Sequence, residues 1–335
     1  MRGCLEQLLH FCCIRSLAPH ERRVEAMIYT VTLNPALDKT AIIEGLTLNA
    51  VNRISSLRVD PGGKGLNVSK VIKELGGESV AYALLAGDTG RVVERMLGNL
   101  GIDCRVLRVE GETRTNLKVI DTALGQNTDI NEPGPELTDE QLDGMLAELV
   151  MEVREGDLVV LSGSLPRGAS VGTYRRWVGA LKSVGARVFL DADGERLSQG
   201  IKAAPDLVKP NELELGGMLG RVLDTDEKVV AAARELIDAG LDRVMVSMGS
   251  AGALYVTREA SVKAHPVRVE VGSTVGAGDS VVAALAFADE RGLGLEEALR
   301  LAMATGAANV MQTGTQAAPR ELVDSLVGRV RLTYL

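Results

Sequence analysis

The sequence predicts an α/β fold in which a doubly wound, mostly parallel sheet carries helices on both faces. From Met27 onward, short segments rich in Val, Leu and Ile alternate with longer helical patterns. This is the order that parallel strands with right-handed crossovers require. The 335 residues are 46% hydrophobic and 24% charged, an ordinary globular composition. A chain of this length can bury a large core.

The predicted strands are short apolar runs, and the predicted helices lie between them. The strands are Ile28–Leu33, Val80–Ala86, Asp157–Leu161, Arg187–Leu190, Leu207–Val208 and Arg243–Ser247. The helices are Leu66–Leu75, Arg91–Leu100, Asp139–Val153, Val171–Val184, Glu212–Leu219 and Lys228–Ala239. From Asp279 to Val330 the chain is expected to be almost wholly helical, with no further strand.

Two regions interrupt this alternation. Ala41–Val59 and Cys104–Asn131 contain strand-like segments such as R-V-L-R-V and T-N-L-K-V-I-D, with little helix between them. We expect a small antiparallel β-sheet, a candidate lid, formed from segments within about 38–60 and 104–131. The rest of 27–335 is expected to be one core domain.

The first 26 residues differ from the rest of the chain. They hold three of the four cysteines and two of the three histidines, and they lack the apolar core of a signal peptide. Because Met27 directly precedes a strand-like segment, we expect residues 1–26 to be a disordered tail or an over-extended translation start. No run of about 18 apolar residues occurs, so no membrane span is expected.

Composition narrows the chemistry. Beyond the N-terminal segment only Cys104 and His265 remain, too few for a disulfide framework, a Cys/His metal site or a Ser-His-Asp triad. This usage fits a reducing compartment, the cytoplasm. A net charge of −8 and 3% aromatic residues argue against nucleic-acid binding. The chemistry must therefore depend on carboxylates, amides, cations and backbone groups.

The segment V-G-S-T-V-G-A-G-D-S, residues 271–280, combines two close glycines with the start of an apolar helix. Gly276 and Gly278 allow the backbone to approach a ligand, and unpaired N–H groups at a helix start attract phosphate. Asp279 at that position is a helix cap or a base that deprotonates an attacking hydroxyl. No P-loop motif occurs, and the segment lacks the third glycine of a dinucleotide fingerprint.

Three further turns accompany this segment. They are P-G-G-K-G-L-N-V-S-K at 61–70, V-K-P-N-E-L-E at 208–214 and S-M-G-S-A-G-A-L at 247–254. Each follows a predicted strand or opens a helix, where open α/β sheets bind ligands. Together the four turns predict sites for a nucleotide and a second substrate.

From about Met27 to its end, the sequence resembles the PfkB, or ribokinase-like, carbohydrate kinase family. The resemblance rests on P-G-G-K-G-L-N and S-T-V-G-A-G-D-S in combination. Within the family, T-L-N-P-A-L-D, G-E-T-R-T-N-L-K-V, L-S-G-S-L-P and V-K-P-N-E-L-E are similar to phosphosugar kinases. The resemblance implies a ribokinase-like fold with a β-sheet lid, and ATP and Mg²⁺ as cofactors.

The resemblance also implies residue roles. Asp279 would be the general base, and the N–H groups of Gly276, Ala277 and Gly278 would stabilise the transferring phosphoryl group. Asp38, otherwise a turn residue, would bind sugar hydroxyls, with Gly62, Gly63 and Asn67 packing against the sugar. Three cations are candidates for the phosphate already on the substrate: Lys64, Arg114 and Arg53.

The remaining implied roles concern the nucleotide and its ions. The residues expected to line the ATP site are Lys209, Asn211, Ser247, Gly249 and Gly252, with Asn309 bordering the adenine. Glu214 would hold Mg²⁺ through water, unless it belongs to a solvated helix face. Family members often have a monovalent-cation site, here near Ser273 and Val275, and lid-mediated homodimers are common among them.

The expected reaction is ATP-dependent phosphorylation of fructose 1-phosphate at its 6-hydroxyl. Tagatose 6-phosphate and fructose 6-phosphate remain alternative substrates. A catalytically inactive sugar- or nucleotide-binding regulator is the alternative from another class. The retention of Asp279 with both neighbouring glycines argues against the regulator.

Overall fold

The computed structural model describes residues 26–312 and 314–335. The strands in this part are β1 Ile28–Thr32, β2 Ala36–Ile43, β3 Ser56–Gly62, β4 Ser79–Ala86, β5 Asp103–Val109, β6 Arg114–Asp121, β7 Gln126–Asn131, β8 Leu158–Ser162, β9 Arg187–Asp191, β10 Leu207–Val208, β11 Arg243–Ser247, β12 Ala253–Val256, β13 Ser261–Ala264 and β14 Leu332–Tyr334. The helices are α1 Lys64–Glu74, α2 Gly87–Asn99, α3 Asp139–Glu152, α4 Thr173–Ser183, α5 Gly194–Ile201, α6 Glu212–Leu219, α7 Asp226–Asp238, α8 Ala277–Glu290, α9 Leu295–Val310 and α10 Arg320–Val327.

Ten strands form one large sheet in the order β14-β13-β12-β11-β10-β9-β8-β1-β4-β5. Seven neighbouring strands of this sheet run parallel: β5, β4, β1, β8, β9, β10 and β11. At the other edge, β12, β13 and β14 are added in antiparallel orientation. All six predicted strands lie in this sheet. The prediction of a doubly wound, mostly parallel sheet with helices on both faces is confirmed.

Both faces of the sheet are buried, because successive side chains of each strand point to opposite sides. In β1, Tyr29 and Val31 pack with Trp177 of α4 in one core. Ile28 lies on the opposite face with Val282 of α8. Parallel strands covered on both faces are expected to be continuous apolar runs, which is what the sequence contains.

A separate small sheet is present, in the order β3-β2-β6-β7. It differs from the expectation in two respects. Its two middle strands, β2 and β6, are parallel rather than antiparallel. The segment Arg105–Val109, expected here, belongs to β5 and pairs with β4 at the edge of the large sheet. Its mixture of Arg and apolar residues suits any half-buried strand, including one at a sheet edge.

Other elements were not anticipated from the sequence: helix α5, the β12–β13 hairpin and strand β14. The expectation for residues 1–26 concerns positions 1–25, which lie outside the described residues, and Ala26, the first residue described. Among the described helices, none combines the length and the apolar character needed to cross a bilayer.

Candidate active site

The carboxyl ends of the parallel strands meet the starts of α1 and α8, two helices that pack against each other. We call Pro61–Lys64 the α1 turn and Ser273–Gly278 the α8 turn. Asp279, in the first turn of α8, is only 6% exposed. Its Oδ2 accepts a 2.8 Å hydrogen bond from Asn67 Nδ2 of α1. The carboxylate thus joins the two helix starts.

Burial raises the pKa of Asp279 above its usual value, although the nearby Lys64 ammonium opposes the shift. Asp191 adds to the increase, whereas the Asn67 hydrogen bond and Lys209 oppose it. A carboxylate with a raised pKa is a stronger base toward a hydroxyl than an exposed aspartate. The N-cap residue of α8 is Gly276, so no N-cap side chain accepts a hydrogen bond from the start of this helix.

Two lysines flank Asp279 and share one buried carboxylate. Lys64 Nζ lies 3.4 Å and Lys209 Nζ 3.5 Å from Asp191 Oδ1. Burial tends to raise the pKa of Asp191, but Lys209 and Lys64 outweigh it and hold that pKa below its usual value. The Asp191 charge in turn raises the pKa of Lys64. Lys64 is therefore held as a cation, and the side chains of both lysines lie beside the α8 turn.

In the α8 turn the N–H groups of Gly276 and Gly278 make no hydrogen bond within the described residues, whereas Ala277 N donates to Thr274 O at 3.4 Å. Gly276 has a φ of 78°, a left-handed conformation that favours glycine. The first N–H groups of any α-helix lack partners within the helix. A Cβ atom placed on Gly278 would lie 3.2 Å from Lys209 Nζ, so this lysine borders the same backbone. Together they form an arrangement of the kind that attracts anions, which we call the phosphoryl cradle after the role expected for it.

Asp38, in β2, faces the α1 turn. A Cβ on Gly62 would lie 2.1 Å from Asp38 Oδ2, so any larger residue there would displace the carboxylate. Asn116 Nδ2 of β6 donates a 3.0 Å hydrogen bond to Asp38 Oδ1. Burial raises the pKa of Asp38, and the Asn116 hydrogen bond and the charges of Lys70 and Arg114 oppose the shift.

Arg114 begins β6 and reaches back to the chain after β1. Its NH2 atom donates to Asn34 O at 2.9 Å, and its Nε and NH1 atoms make 3.4 Å contacts with Pro35 O and Glu132 O. Burial lowers the pKa of Arg114, against the pull of Asp38. Arg53, by contrast, is exposed in the loop before β3 and makes no hydrogen bond or ion pair within the described residues.

The turn after β10 holds Lys209, Asn211 and Glu214. Asn211 Oδ1 accepts from Glu214 N at 2.8 Å, and Glu214 Oε2 accepts from Asn211 N at 2.9 Å. This capping box occupies one oxygen of Glu214 and fixes the start of α6. Asn211 also pairs with Ser247, which places the end of β11 beside it.

The two glycines after β11 differ in their surroundings. A Cβ on Gly249 would meet open space, whereas one on Gly252 would lie 2.2 Å from Ala264 O. Asn309 of α9 lies on the other side of the α8 turn, with its Oδ1 3.5 Å from the Cβ position of Gly276. Ser273 is buried, and its Oγ accepts from Val275 N at 3.3 Å.

Unpartnered polar atoms concentrate around these residues. Nine buried side-chain N or O atoms of the described residues have no hydrogen-bond partner. Apart from Trp177 Nε1, they lie at strand ends, helix starts, the small sheet, the last turn of α9 or the segment after it. These eight are Thr32 Oγ1, Asn34 Oδ1, Asn67 Oδ1, Asn116 Oδ1, Ser162 Oγ, Asp191 Oδ2, Asn309 Oδ1 and Thr315 Oγ1. Since buried polar atoms normally have partners, this region is suited to polar ligands.

The described residues contain no group of three or more His, Cys, Asp or Glu side chains that could hold a metal ion. A Mg²⁺ site does not require such a group, because this ion keeps several waters and binds phosphates with one or two carboxylates. A Glu214 carboxylate with one oxygen in the capping box retains lone pairs for a metal-bound water.

Sequence reasoning missed three polar residues of this site. Asp191 ends the strand R-V-F-L-D, so its place at a carboxyl end was a usable signal. Asn116 stands two residues after Arg114 in T-R-T-N, on the same face of β6. Nothing in the sequence pattern indicated Lys70, whose contacts are described below.

Three comparisons relate this geometry to known proteins. A sequence profile described as pfkB family carbohydrate kinase matches residues 31–321. The 1-phosphofructokinase of Rhodobacter capsulatus is 39% identical over 92% of this chain and 98% of its own length. That of Bacillus subtilis is 38% identical over 92% of this chain and 100% of its own length.

Solved structures agree. Phosphofructokinase-2 from Escherichia coli, in complex with substrates and products, has a TM-score of 0.87 at 32% identity, covering 91% of this chain and 99% of that one. The same enzyme in complex with fructose-6-phosphate has a TM-score of 0.85 at 31% identity, with the same coverage.

Proposed function

Because the chain belongs to the pfkB family of carbohydrate kinases, we propose that it transfers the γ-phosphoryl group of ATP to the 6-hydroxyl of fructose 1-phosphate. The product would be fructose 1,6-bisphosphate. The several relatives named 1-phosphofructokinase, matched over 92% of this chain, support this choice of sugar.

One observation carries the proposal. A buried carboxylate, Asp279, lies at the anion-binding start of α8 and is joined by a 2.8 Å hydrogen bond to α1, the helix that opens after the Gly62–Gly63 turn. A base, a phosphate cradle and a polyol-binding carboxylate therefore belong to one connected region. Phosphoryl transfer needs such positioning and electrostatic stabilisation more than it needs covalent chemistry.

In the proposed mechanism, Asp38 accepts hydrogen bonds from sugar hydroxyls and orients the ring. The 6-hydroxyl oxygen attacks the γ-phosphorus while its proton passes to Asp279. The bond from phosphorus to the bridging oxygen breaks, and ADP leaves with that electron pair. The N–H groups at the α8 turn, with Lys209, stabilise the charge on the transferring group.

Two ions complete the proposal. Mg²⁺ would neutralise phosphate charge and would be held by the nucleotide and by a water on Glu214. A monovalent cation near Ser273 and Val275 is a finer expectation, supported by an Escherichia coli phosphofructokinase-2 structure described as a potassium complex. Arg114 and Lys64 would bind the phosphate already on the sugar, with Arg53 as a helper.

Exposed apolar side chains on and around the small sheet support a homodimer formed through it. They are Leu48, Val51, Ile54, Leu57, Leu124 and Ile130. Exposed apolar side chains concentrated on one part of a protein are typical of interaction surfaces. We further propose that the enzyme acts in the cytoplasm, consistent with the cysteine usage of residues 27–335.

The test is ADP formation with Mg·ATP and a panel of acceptors. Fructose 1-phosphate should give the highest kcat/KM, above fructose 6-phosphate, tagatose 6-phosphate, ribose and adenosine. A preference for fructose 6-phosphate would instead indicate that the chain uses the sugar phosphate bound in an Escherichia coli phosphofructokinase-2 structure. Tight ATP binding without turnover of any acceptor would favour a non-catalytic regulator.

A further inference from the structure

The side chain of Lys70, in α1, ends between two segments that are far apart in the chain. Lys70 is only 7% exposed. Its Nζ donates 2.8 Å hydrogen bonds to Pro61 O and to Thr315 O. Pro61 begins the α1 turn, whereas Thr315 follows α9. One nitrogen atom therefore fixes the backbone of both segments.

These segments border different halves of the site. Pro61 precedes Gly62, which packs directly against the Asp38 carboxylate. On the other side, Gln316 O accepts a 2.7 Å hydrogen bond from Asn309 Nδ2. The Oδ1 atom of Asn309 lies beside Gly276 of the α8 turn. A continuous set of contacts thus runs from the sugar carboxylate through Lys70 to the phosphoryl cradle.

Burying the Lys70 amine costs free energy, because its charged form loses hydration. A methionine side chain would fill similar space without that cost. Burial lowers the pKa of Lys70 to about 8. Three carboxylates facing it from other elements oppose that shift: Asp60 of β3, Asp38 of β2 and Asp279 of α8. Arg58 of β3, whose Nε pairs with Asp60 Oδ2 at 2.8 Å, adds slightly to the decrease.

We propose that Lys70 is a positioning residue for phosphoryl transfer, which holds the α1 turn and the segment after α9 in register. It touches no reacting atom in this account. Its part in catalysis rests on the proposed function, but the anchoring of the two segments does not.

The main variant is Lys70→Met, which keeps the length and removes both donors and the charge. We expect the KM values for the phosphosugar and for ATP both to rise about tenfold or more, because one lost nitrogen releases both segments. Lys70→Arg should restore much of the affinity. Lys73→Met is the matched control, since Lys73 is exposed one turn further along the same helix.

The pH profile separates this role from a merely structural one. The Lys70 charge lowers the pKa of Asp38, so its removal must raise that pKa. Asp38 would then become protonated at a higher pH. The acid limb of kcat/KM for the phosphosugar should move to higher pH in Lys70→Met, and should stay in place in Lys70→Arg. General loosening would lower activity at every pH without moving the limb.

Hydrogen exchange on the free protein provides a readout that needs no activity. In Lys70→Met the amides of Gly62, Gly63, Gln316 and Ala317 should exchange faster, with no change in Lys73→Met. If Lys70→Met does not fold, the neutral Lys70→Gln tests the same pH shift.

The outcomes distinguish the two proposals. Faster exchange in a protein that phosphorylates no sugar phosphate would overturn the proposed function and support the anchoring role. An active wild type whose Lys70→Met variant keeps both KM values, the acid limb and the exchange rates would overturn the Lys70 proposal alone.

Discussion

The α1 turn and the α8 turn look alike in the sequence, since both place close glycines at the start of a helix, but their glycines serve different purposes. In the α1 turn the space is needed for the protein's own side chains. A Cβ on Gly62 would overlap Asp38, and one on Gly63, with a φ of 113°, would lie 2.7 Å from Thr32 Cγ2. These glycines allow the turn to pack against the protein itself.

In the α8 turn, by contrast, the protein's own atoms leave more space beside the glycine. A Cβ on Gly278 would lie no closer than 3.2 Å to any neighbour, and that neighbour is the flexible end of Lys209. Residues of α8 itself fix the backbone of this turn, because Ser280 N and Oγ both donate to Gly276 O, at 2.8 and 2.9 Å. One glycine pattern thus builds a closely packed wall, where we propose that the sugar binds, and the other builds an open turn, where we propose that the phosphoryl group binds.

The largest effect is expected where the two turns meet, at Asp279. Asp279→Asn keeps the shape but cannot take a proton at neutral pH, so kcat should fall by about a thousandfold or more. ATP affinity, measured by calorimetry, should change little. Turnover close to that of the wild type would remove Asp279 as the base and leave it as a link to Asn67.

Alanine at one glycine of each turn tests the contrast directly. Gly62→Ala should displace the Asp38 carboxylate and raise the KM for the phosphosugar about a hundredfold, with little change for ATP. Gly278→Ala should instead lower kcat about tenfold, because its methyl group enters the cradle.

Gly179→Ala, in α4 where a Cβ meets open space, is the matched control and should behave as wild type. Equal effects of Gly62→Ala and Gly278→Ala on the two substrates would contradict the division between wall and cradle.

A smaller effect is expected from Arg114→Ala. It should raise the KM for fructose 1-phosphate about tenfold and weaken competition by inorganic phosphate, since the guanidinium offers a planar fork to phosphate oxygens. Arg53→Ala should have less effect. If the KM rises while inhibition by phosphate is unchanged, Arg114 acts only through its bonds to Asn34 O and Pro35 O.

The sequence was most informative where a feature is local. Runs of Val, Leu and Ile predicted the parallel strands because both faces of each strand are buried, and glycines marked the turns because few other residues fit them. Arg105–Val109 was assigned to the wrong sheet, since a mixture of charged and apolar residues indicates a half-buried strand but not which strand it pairs with.

The site shows the same limit. Asp279, Asp38 and Gly62 were found through their motifs, yet the Asn116–Asp38 bond and the Lys64–Asp191–Lys209 cluster join residues from separate elements. Lys70 was invisible because its partners are backbone carbonyls, which every residue carries. A sequence pattern identifies the type of residue and its local structure. These contacts depend on which distant residues the fold places beside it.

The smallest effect is expected at Glu214, outside both turns, where two roles compete. Glu214→Gln keeps an acceptor for Asn211 N, so α6 should remain capped and the melting temperature unchanged. If the carboxylate also holds a magnesium-bound water, the Mg²⁺ concentration for half-maximal activity should rise about three- to tenfold, with kcat at saturating Mg²⁺ little affected. Glu212→Gln, in the same helical turn, is the control. Wild-type Mg²⁺ dependence in Glu214→Gln would make Glu214 a capping residue alone, because loss of its charge would then leave the metal undisturbed.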